Sequence, residues 1–315
     1  MAVGLEGLVT RLRFRHLRLL VELERSGTLS KAATLLHLSQ PALSKMLKEV
    51  EDTFGFALFQ RGARGLTMTP RGQVVVQGAS ILLAELGHVS AAAEASGEQP
   101  VAILHLGAPP AVAAGGMLPA VIQRLQAGPQ HIVVALREEP VPRLFEALVR
   151  GELDALLTSY NQASFAAKRP TRLVYERCAE HEYVVIAPPG HRLAGKRGIS
   201  WQAVAGERWI MPEPSLLSRQ ALESQFLRAG APVPAPWVVS NSPATNVQLV
   251  AAGVGIAAVP AAMAHAEECI GRVVRLRVAL TPPRVPTALV YRASGESDPV
   301  LQRLRAAVGE LLVPP

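Results

Sequence analysis

The segment from Thr28 to Glu51 limits the possible folds of this chain more than any other stretch. It reads as two short helices joined by a tight turn. The first starts at Thr28, an N-cap placed just after the Ser26-Gly27 turn, and Ala32, Ala33, Leu35 and Leu36 supply its packing face. Two small alanines let a second helix approach closely at a steep angle. His37-Leu38 makes the turn. The second helix opens at Ser39, whose hydroxyl can accept a free backbone N–H. Pro41 falls in its first turn, where a missing donor costs little. Leu43, Met46, Leu47, Val50 and Phe54 then recur at helical spacing as a buried stripe. Gln40, Ser44, Lys45 and Lys48 lie off that stripe: an amide suited to reading a base edge, a hydroxyl, and two ammoniums suited to phosphates. An ordinary helical hairpin with a solvated polar face would show the same pattern.

The residues that follow weaken that plainer reading. Residues 57–70 form two strand-like pieces flanking a Gly-rich tip with Arg64, the pattern of a β-hairpin wing. Arg64 is placed to enter a minor groove or hold a phosphate; standing alone it would equally be a solvated turn arginine.

In order and spacing, Ser30–Ala33, Leu38–Ser44, Leu58–Arg61 and Leu66–Gly72 resemble the N-terminal signature of LysR-type transcriptional regulators. The resemblance runs from about residue 13 to 95. Beyond that it is looser, carried by architecture and by Gly253–Pro260. It implies an α+β multidomain protein: an N-terminal winged helix-turn-helix with a long linker helix, then a two-lobed α/β periplasmic-binding-protein-like domain. It also implies that Gln40, Ser44 and Lys45 contact bases or backbone and that Arg64 reaches the minor groove. With Thr28, Ser30, Ser39, Pro41 and Lys48 these make the candidate DNA-binding set.

Charge agrees with this division. Of the formal net charge of +7, residues 1–71 carry +5 and the remainder +2, so the excess lies on the segment expected to meet a polyanion. Two cysteines, Cys178 and Cys269, make no disulfide framework and suit a reducing cytoplasm. The N-terminus has no secretory pattern. No apolar run reaches the length needed to span a bilayer, the short runs at 74–76 and 81–83 being interrupted by Gln77, Gly78 and Ser80, so no membrane is expected.

Residues 71–95 read as one long helix with an apolar stripe at Val75, Leu82, Leu86 and Val89, widened by Ala79, Ile81 and Leu83. Such a helix needs a partner. The resemblance implies the same helix of a second subunit, and hence a homodimer or homotetramer; the competing reading is packing on the chain's own C-terminal domain. The polar hinge Ser96–Pro100 suggests domains at 1–70, 71–96 and 97–315. Strands and helices alternate from Val101 onward, which predicts two α/β lobes: lobe I at about 101–172 and 278–315, lobe II at about 173–277, with crossovers near 172–176 and 273–278.

Ligands in such sheets sit at the carboxyl ends of strands, and the cleft between lobes is the default pocket. The candidate effector-binding residues are Ala108, Pro109 and Pro110 after the first strand, Glu138 and Glu139 after the second, and Pro212, Glu213, Ser215, Asn241 and Ser242 in lobe II. In the family the loop matching 107–110 often carries a serine or threonine for a carboxylate. Here Ala108-Pro109-Pro110 lacks that hydroxyl and two N–H donors, which argues against a strongly anionic effector in lobe I. Ser215, Arg219 and Ser242 remain able to serve a carboxylate from lobe II.

Other motifs lead nowhere. Gly253–Ala258 fits G-x-G-x-x-A, but a helix precedes it and a strand follows, the reverse of a dinucleotide site. Cys178 and His181 lack a second ligand pair. Asp154 reads as a structural cap. No nucleophile–base pair or cofactor motif stands out, so an enzyme is not expected. The sequence therefore points to a transcriptional regulator acting on promoter DNA, answering to a small-molecule effector and working with RNA polymerase. The alternative is a solute-binding protein, which the lobes alone would allow.

Overall fold

The computed structural model describes residues 4–62, 65–95, 101–128, 131–159, 172–279 and 283–311. The N-terminal unit packs α1 (Leu5–Arg11), α2 (Phe14–Ser26), α3 (Leu29–Leu35) and α4 (Gln40–Phe54) beside a hairpin of β1 (Phe59–Gly62) and β2 (Gly65–Met68). Its core joins Leu19, Leu20 and Leu23 of α2 to Ala32 and Ala33 of α3 and to Leu43, Leu47 and Val50 of α4. Each fully buried leucine contributes about 1.5–3 kcal/mol. The caps are as expected: the Thr28 hydroxyl accepts from Lys31 N–H and the Ser39 hydroxyl from Ala42 N–H. His37 closes the turn with φ of 54°, left-handed backbone that the polar side chain of histidine tolerates better than a β-branched one. One residue departs from expectation: Leu35 is 55% exposed, because the packing face of α3 is filled by Ala32 and Ala33.

The helix α5 (Pro70–Ala95) begins inside this core, where Val76 and Ala79 are buried. Gly72 makes the start possible, since a Cβ there would lie 1.9 Å from the Leu58 carbonyl oxygen. Beyond Ser80 the helix has two apolar faces rather than the single stripe expected. Ile81 and Ala84 lie against Gly151 of lobe I, and the Gln77 amide donates to the Val149 carbonyl. Leu82, Leu86 and Val89 are 56%, 46% and 58% exposed. Packing on the chain's own C-terminal domain therefore accounts for one face and leaves the other bare. The expectation about bilayer length also needs correction. Residues Pro70–Glu94 form a helix long and apolar enough to cross a membrane. Its Gly, Ala and Ser positions break the apolar run in sequence without making the helix polar.

The C-terminal domain holds nine strands among the described residues, in the order β4-β3-β5-β11-β6-β9-β7-β8, with β10 (Val274–Arg275) beside β6. Lobe I carries β3 (Ala102–Ala108), β4 (Ile132–Glu138) and β5 (Ala155–Ser159), with α6 (Pro110–Ala113), α7 (Met117–Gln126), α8 (Val141–Arg150) and the C-terminal α13 (Pro299–Gly309). Lobe II carries β7 (Trp209–Met211), β8 (Pro236–Val239) and β9 (Ile256–Pro260), with α9 (Trp201–Ala205), α10 (Leu217–Arg228), α11 (Pro243–Ala251) and α12 (Ala261–Cys269). Trp201 and Trp209 meet Phe226 edge-on at its centre.

β6 (Leu173–Ala187) pairs with β11 (Arg284–Arg292) as far as Glu182, then with β9 from Tyr183 onward. A crossover at 172–176 and a lobe boundary at 173 therefore give way to one continuous strand that changes lobe near residue 183. The sequence does not mark the change: Tyr183–Ala187 are buried at every position, and the apolar run simply continues the strand. Gly253 sits at φ of 79° after α11 and before β9, a helix stop rather than a phosphate turn.

Candidate functional site

On α4 the buried side chains Leu43, Leu47 and Val50 turn the opposite face outward. Gln40, Pro41, Lys45 and Lys48 are exposed and Ser44 is half-buried. Ser44 Oγ lies 3.5 Å from the Arg61 guanidinium on β1, so helix and wing present one continuous polar surface. Thr28 is half-buried and committed to its cap, as is the Ser39 hydroxyl; what remains available at both helix starts is partly exposed polar surface with free N–H groups. Ser30 is exposed in the first turn of α3. The hairpin register pairs Gly62 with Gly65. Arg64, the expected minor-groove contact, lies outside the described residues. Sequence reasoning missed Arg61, which is exposed two residues after buried Phe59 on β1, so strand alternation would have hidden it rather than marked it.

The candidate effector residues fall into two groups, each joined within itself. In lobe I, Ala108 and Pro109 are buried, and Pro109 and Pro110 start α6. Glu138 is exposed beside Ala108 in the strand ladder. Glu139 is not a free negative charge: Arg137 Nε donates to it at 2.8 Å and Arg137 Nη1 to Glu152 at 2.9 Å. In lobe II, the Asn241 carboxamide accepts the Glu213 N–H at 2.9 Å, drawing the two loops together. Ser242 caps α11 by accepting from Thr245 N–H, and Ser215 is exposed. Pro212 is buried, and its carbonyl accepts from Arg219. Arg219 is also bound to Glu223 at 2.6 Å, so this guanidinium braces α10 instead of waiting for a carboxylate.

Other residues meet where the lobes join. The His181 ring packs against Gly115, where a Cβ would lie 2.6 Å from it, and Gly116 faces Ala262 of α12. His181 is buried, and its Nε2 has no hydrogen-bond partner among the described residues. Burial holds its imidazole below the usual histidine range, against the bond to Gly115 that raises it. Tyr183, two residues along the same face of β6, is pushed up to about 12 by burial, against the bond to Ser218. Both were legible only as alternate positions on a strand whose change of lobe was itself not legible. Burial also pushes the Cys178 thiol up to about 12; its Sγ donates to the Thr287 carbonyl.

The two architectural units correspond to known domains. Residues 14–73 match the bacterial regulatory helix-turn-helix protein, lysR family, and residues 97–312 match the LysR substrate binding domain. The chain belongs to the LysR family of transcriptional regulators. It is a DNA-binding regulator with a C-terminal effector-binding domain, and its relatives are named as regulators rather than enzymes. A probable hydrogen peroxide-inducible genes activator from Mycobacterium avium is 29% identical over 94% of this chain and 93% of its own length. The regulator MetR of Salmonella typhimurium is 30% identical over 84% of this chain and 79% of its own. Among solved structures, full-length OxyR from Pseudomonas aeruginosa has a TM-score of 0.63 at 23% identity, covering 94% of both chains. CbnR, solved in complex with its target DNA, has a TM-score of 0.55 at 19% identity, covering 96% of this chain and 100% of that one. At these identities the structures establish the shared fold.

Proposed function

We propose that this regulator reads promoter DNA through α4 and answers to a small molecule held between its two lobes. The observation that carries the reading is the single exposed polar face of α4, continuous with the wing through Ser44 and Arg61. Gln40, Ser44 and Lys45 read bases and adjacent backbone in a major groove. Thr28, Ser30, Ser39, Pro41 and Lys48 line the phosphate track, and Arg64 reaches the minor groove from the wing tip. The exposed Leu82, Leu86 and Val89 of α5 pair two subunits, giving a homodimer or homotetramer that binds two half-sites in the cytoplasm and engages RNA polymerase. Effector binding favours one lobe closure over another, which resets the spacing of the reading heads.

The effector contacts proposed are Ala108, Pro109, Pro110, Glu138 and Glu139 from lobe I, and Pro212, Glu213, Ser215, Asn241 and Ser242 from lobe II, with His181 added as a polar anchor. This lining favours a neutral or weakly polar molecule over a strong acid, since Arg219 is already neutralised. Peroxide sensing of the kind named for some relatives does not follow from Cys178, whose thiol is buried and stays protonated. A thermal-shift screen of small metabolites on the full-length regulator tests the reading. A stabilising compound whose effect is lost in His181→Ala supports it. Hits that act equally on that variant remove His181 from the site.

A further inference from the structure

Three ligand-type side chains meet where α5 crosses lobe I, outside both candidate sites. His88 comes from α5, His105 from β3 and Asp154 from the turn before β5; one donor atom from each lies within 4.8 Å of the others. The local sequence puts them there. Leu104 and Leu106 point into the core of lobe I, so His105 between them faces the other side of the sheet, toward α5. Its ring stacks on that of His88, with centroids 3.9 Å apart and planes 13° from parallel. Asp154 Oδ2 accepts the His105 backbone N–H at 2.8 Å, and the Asp154 N–H returns to the His105 carbonyl at 2.9 Å. The same oxygen stands 3.4 Å from His105 Nδ1, a buried nitrogen with no well-formed hydrogen bond. Glu85, one turn before His88 on α5, brings its carboxylate to 4.0 Å from His88 Nδ1.

We infer that this cluster binds a divalent transition metal ion of the zinc class, with His88, His105 and Asp154 as ligands and Glu85 as the fourth. Two imidazoles with carboxylates suit zinc, cobalt, nickel or iron rather than magnesium or calcium. Bonds of about 2.0–2.1 Å to a tetrahedral ion set neighbouring donors roughly 3.3 Å apart; the edge between His105 and Asp154 already has that length. The Glu85–His88 edge is wider at 4.0 Å, and parallel rings do not aim their lone pairs at one point, so His88 swings off the stack to reach the ion. A cavity of about 200 Å³ lined by Glu85, His88, Val89, Asp154 and Asp298 gives it room. The backbone bond to Asp154 fixes that carboxylate in advance, as an outer-shell contact should. The positive charge acting on these carboxylates is Arg292, which interacts with Asp154 and Glu85 but is buried and donates to the Leu148 and Leu153 carbonyls. Two carboxylates against one guanidinium leave the site net negative. Its ligands come from the linker helix on one side and the lobe I sheet on the other, so a bound ion staples the reading head to the sensor.

Cobalt titration of the full-length chain tests this, in a Cys269→Ser background so that Cys269 and His265, 3.8 Å apart on α12, cannot compete. The expected result is one ion per chain, a visible d–d band from a low-coordinate site, and displacement by zinc. His88→Ala should weaken binding at least about tenfold and abolish the zinc-induced rise in melting temperature. Asp154→Asn also removes a structural bond, so His88→Ala, on a half-exposed helix face, carries the decision, with Glu85→Gln as a milder second variant. Absence of stoichiometric binding, or binding unchanged in folded His88→Ala, overturns the site.

Discussion

Glu51, in the last turn of α4, accepts the backbone N–H groups of Leu58 at 2.7 Å and Phe59 at 3.1 Å through one carboxylate oxygen. The reading helix is thereby tied to the first strand of the wing. Hydrogen bonds to a charged partner contribute about 1.5–3 kcal/mol. Glu51→Ala should therefore cost about 2 kcal/mol in chemical denaturation and loosen the wing's hold on DNA. An unchanged denaturation midpoint would contradict a bracing role.

Lys48 is exposed on α4, one turn beyond Ser44 and Lys45. As a phosphate contact it should act on all sequences alike. Lys48→Ala is expected to weaken binding to specific and random duplexes equally and to flatten the salt dependence by about one unit of slope. A slope that does not move would remove Lys48 from the backbone track.

Leu82, Leu86 and Val89 present a bare apolar stripe on α5, while the face bearing Ile81 and Ala84 is covered by lobe I. Replacing Leu82 and Leu86 with Asp should disperse the oligomer in sedimentation, since each charge would have to be buried without a partner. The double variant sedimenting like the parent would rule out pairing through this stripe.

Burial keeps the His181 imidazole below its ordinary value of 6.5. Between that value and the lower folded one, the unfolded chain binds more protons than the folded chain. Stability is then full above the ordinary value and falls as pH drops through that window. His16 and His88 are lowered by burial in the same direction. Denaturation midpoints should decline from about pH 7 to about pH 5, and His181→Gln should decline less steeply. Identical slopes in parent and variant would mean that His181 titrates normally.

The parts legible in the sequence were those governed by local rules. The caps at Thr28 and Ser39 and the stripe of Leu43, Leu47 and Val50 follow from side-chain spacing and backbone satisfaction alone. What escaped depended on which of several possible partners a side chain actually turns to, a choice that spacing alone does not make. Arg219 reads as a free cation until Glu223 and the Pro212 carbonyl are seen around it. Glu139 reads as uncompensated charge until Arg137 is seen to hold it. Leu35 fits the packing face of α3 by period yet stays exposed. Asp154 was legible as structural, but not its meeting with His105 and His88, which come from two other elements.

The central claim is that α4 reads base sequence, with Gln40 at its exposed start. Its most direct test is the affinity of Gln40→Ala for the tightest duplex selected from a random pool, measured beside an unrelated duplex at one salt concentration. The account predicts a loss of about 1–3 kcal/mol on the selected duplex, confined to one base-pair position, with binding to the unrelated duplex unchanged. Equal losses on both duplexes would contradict it.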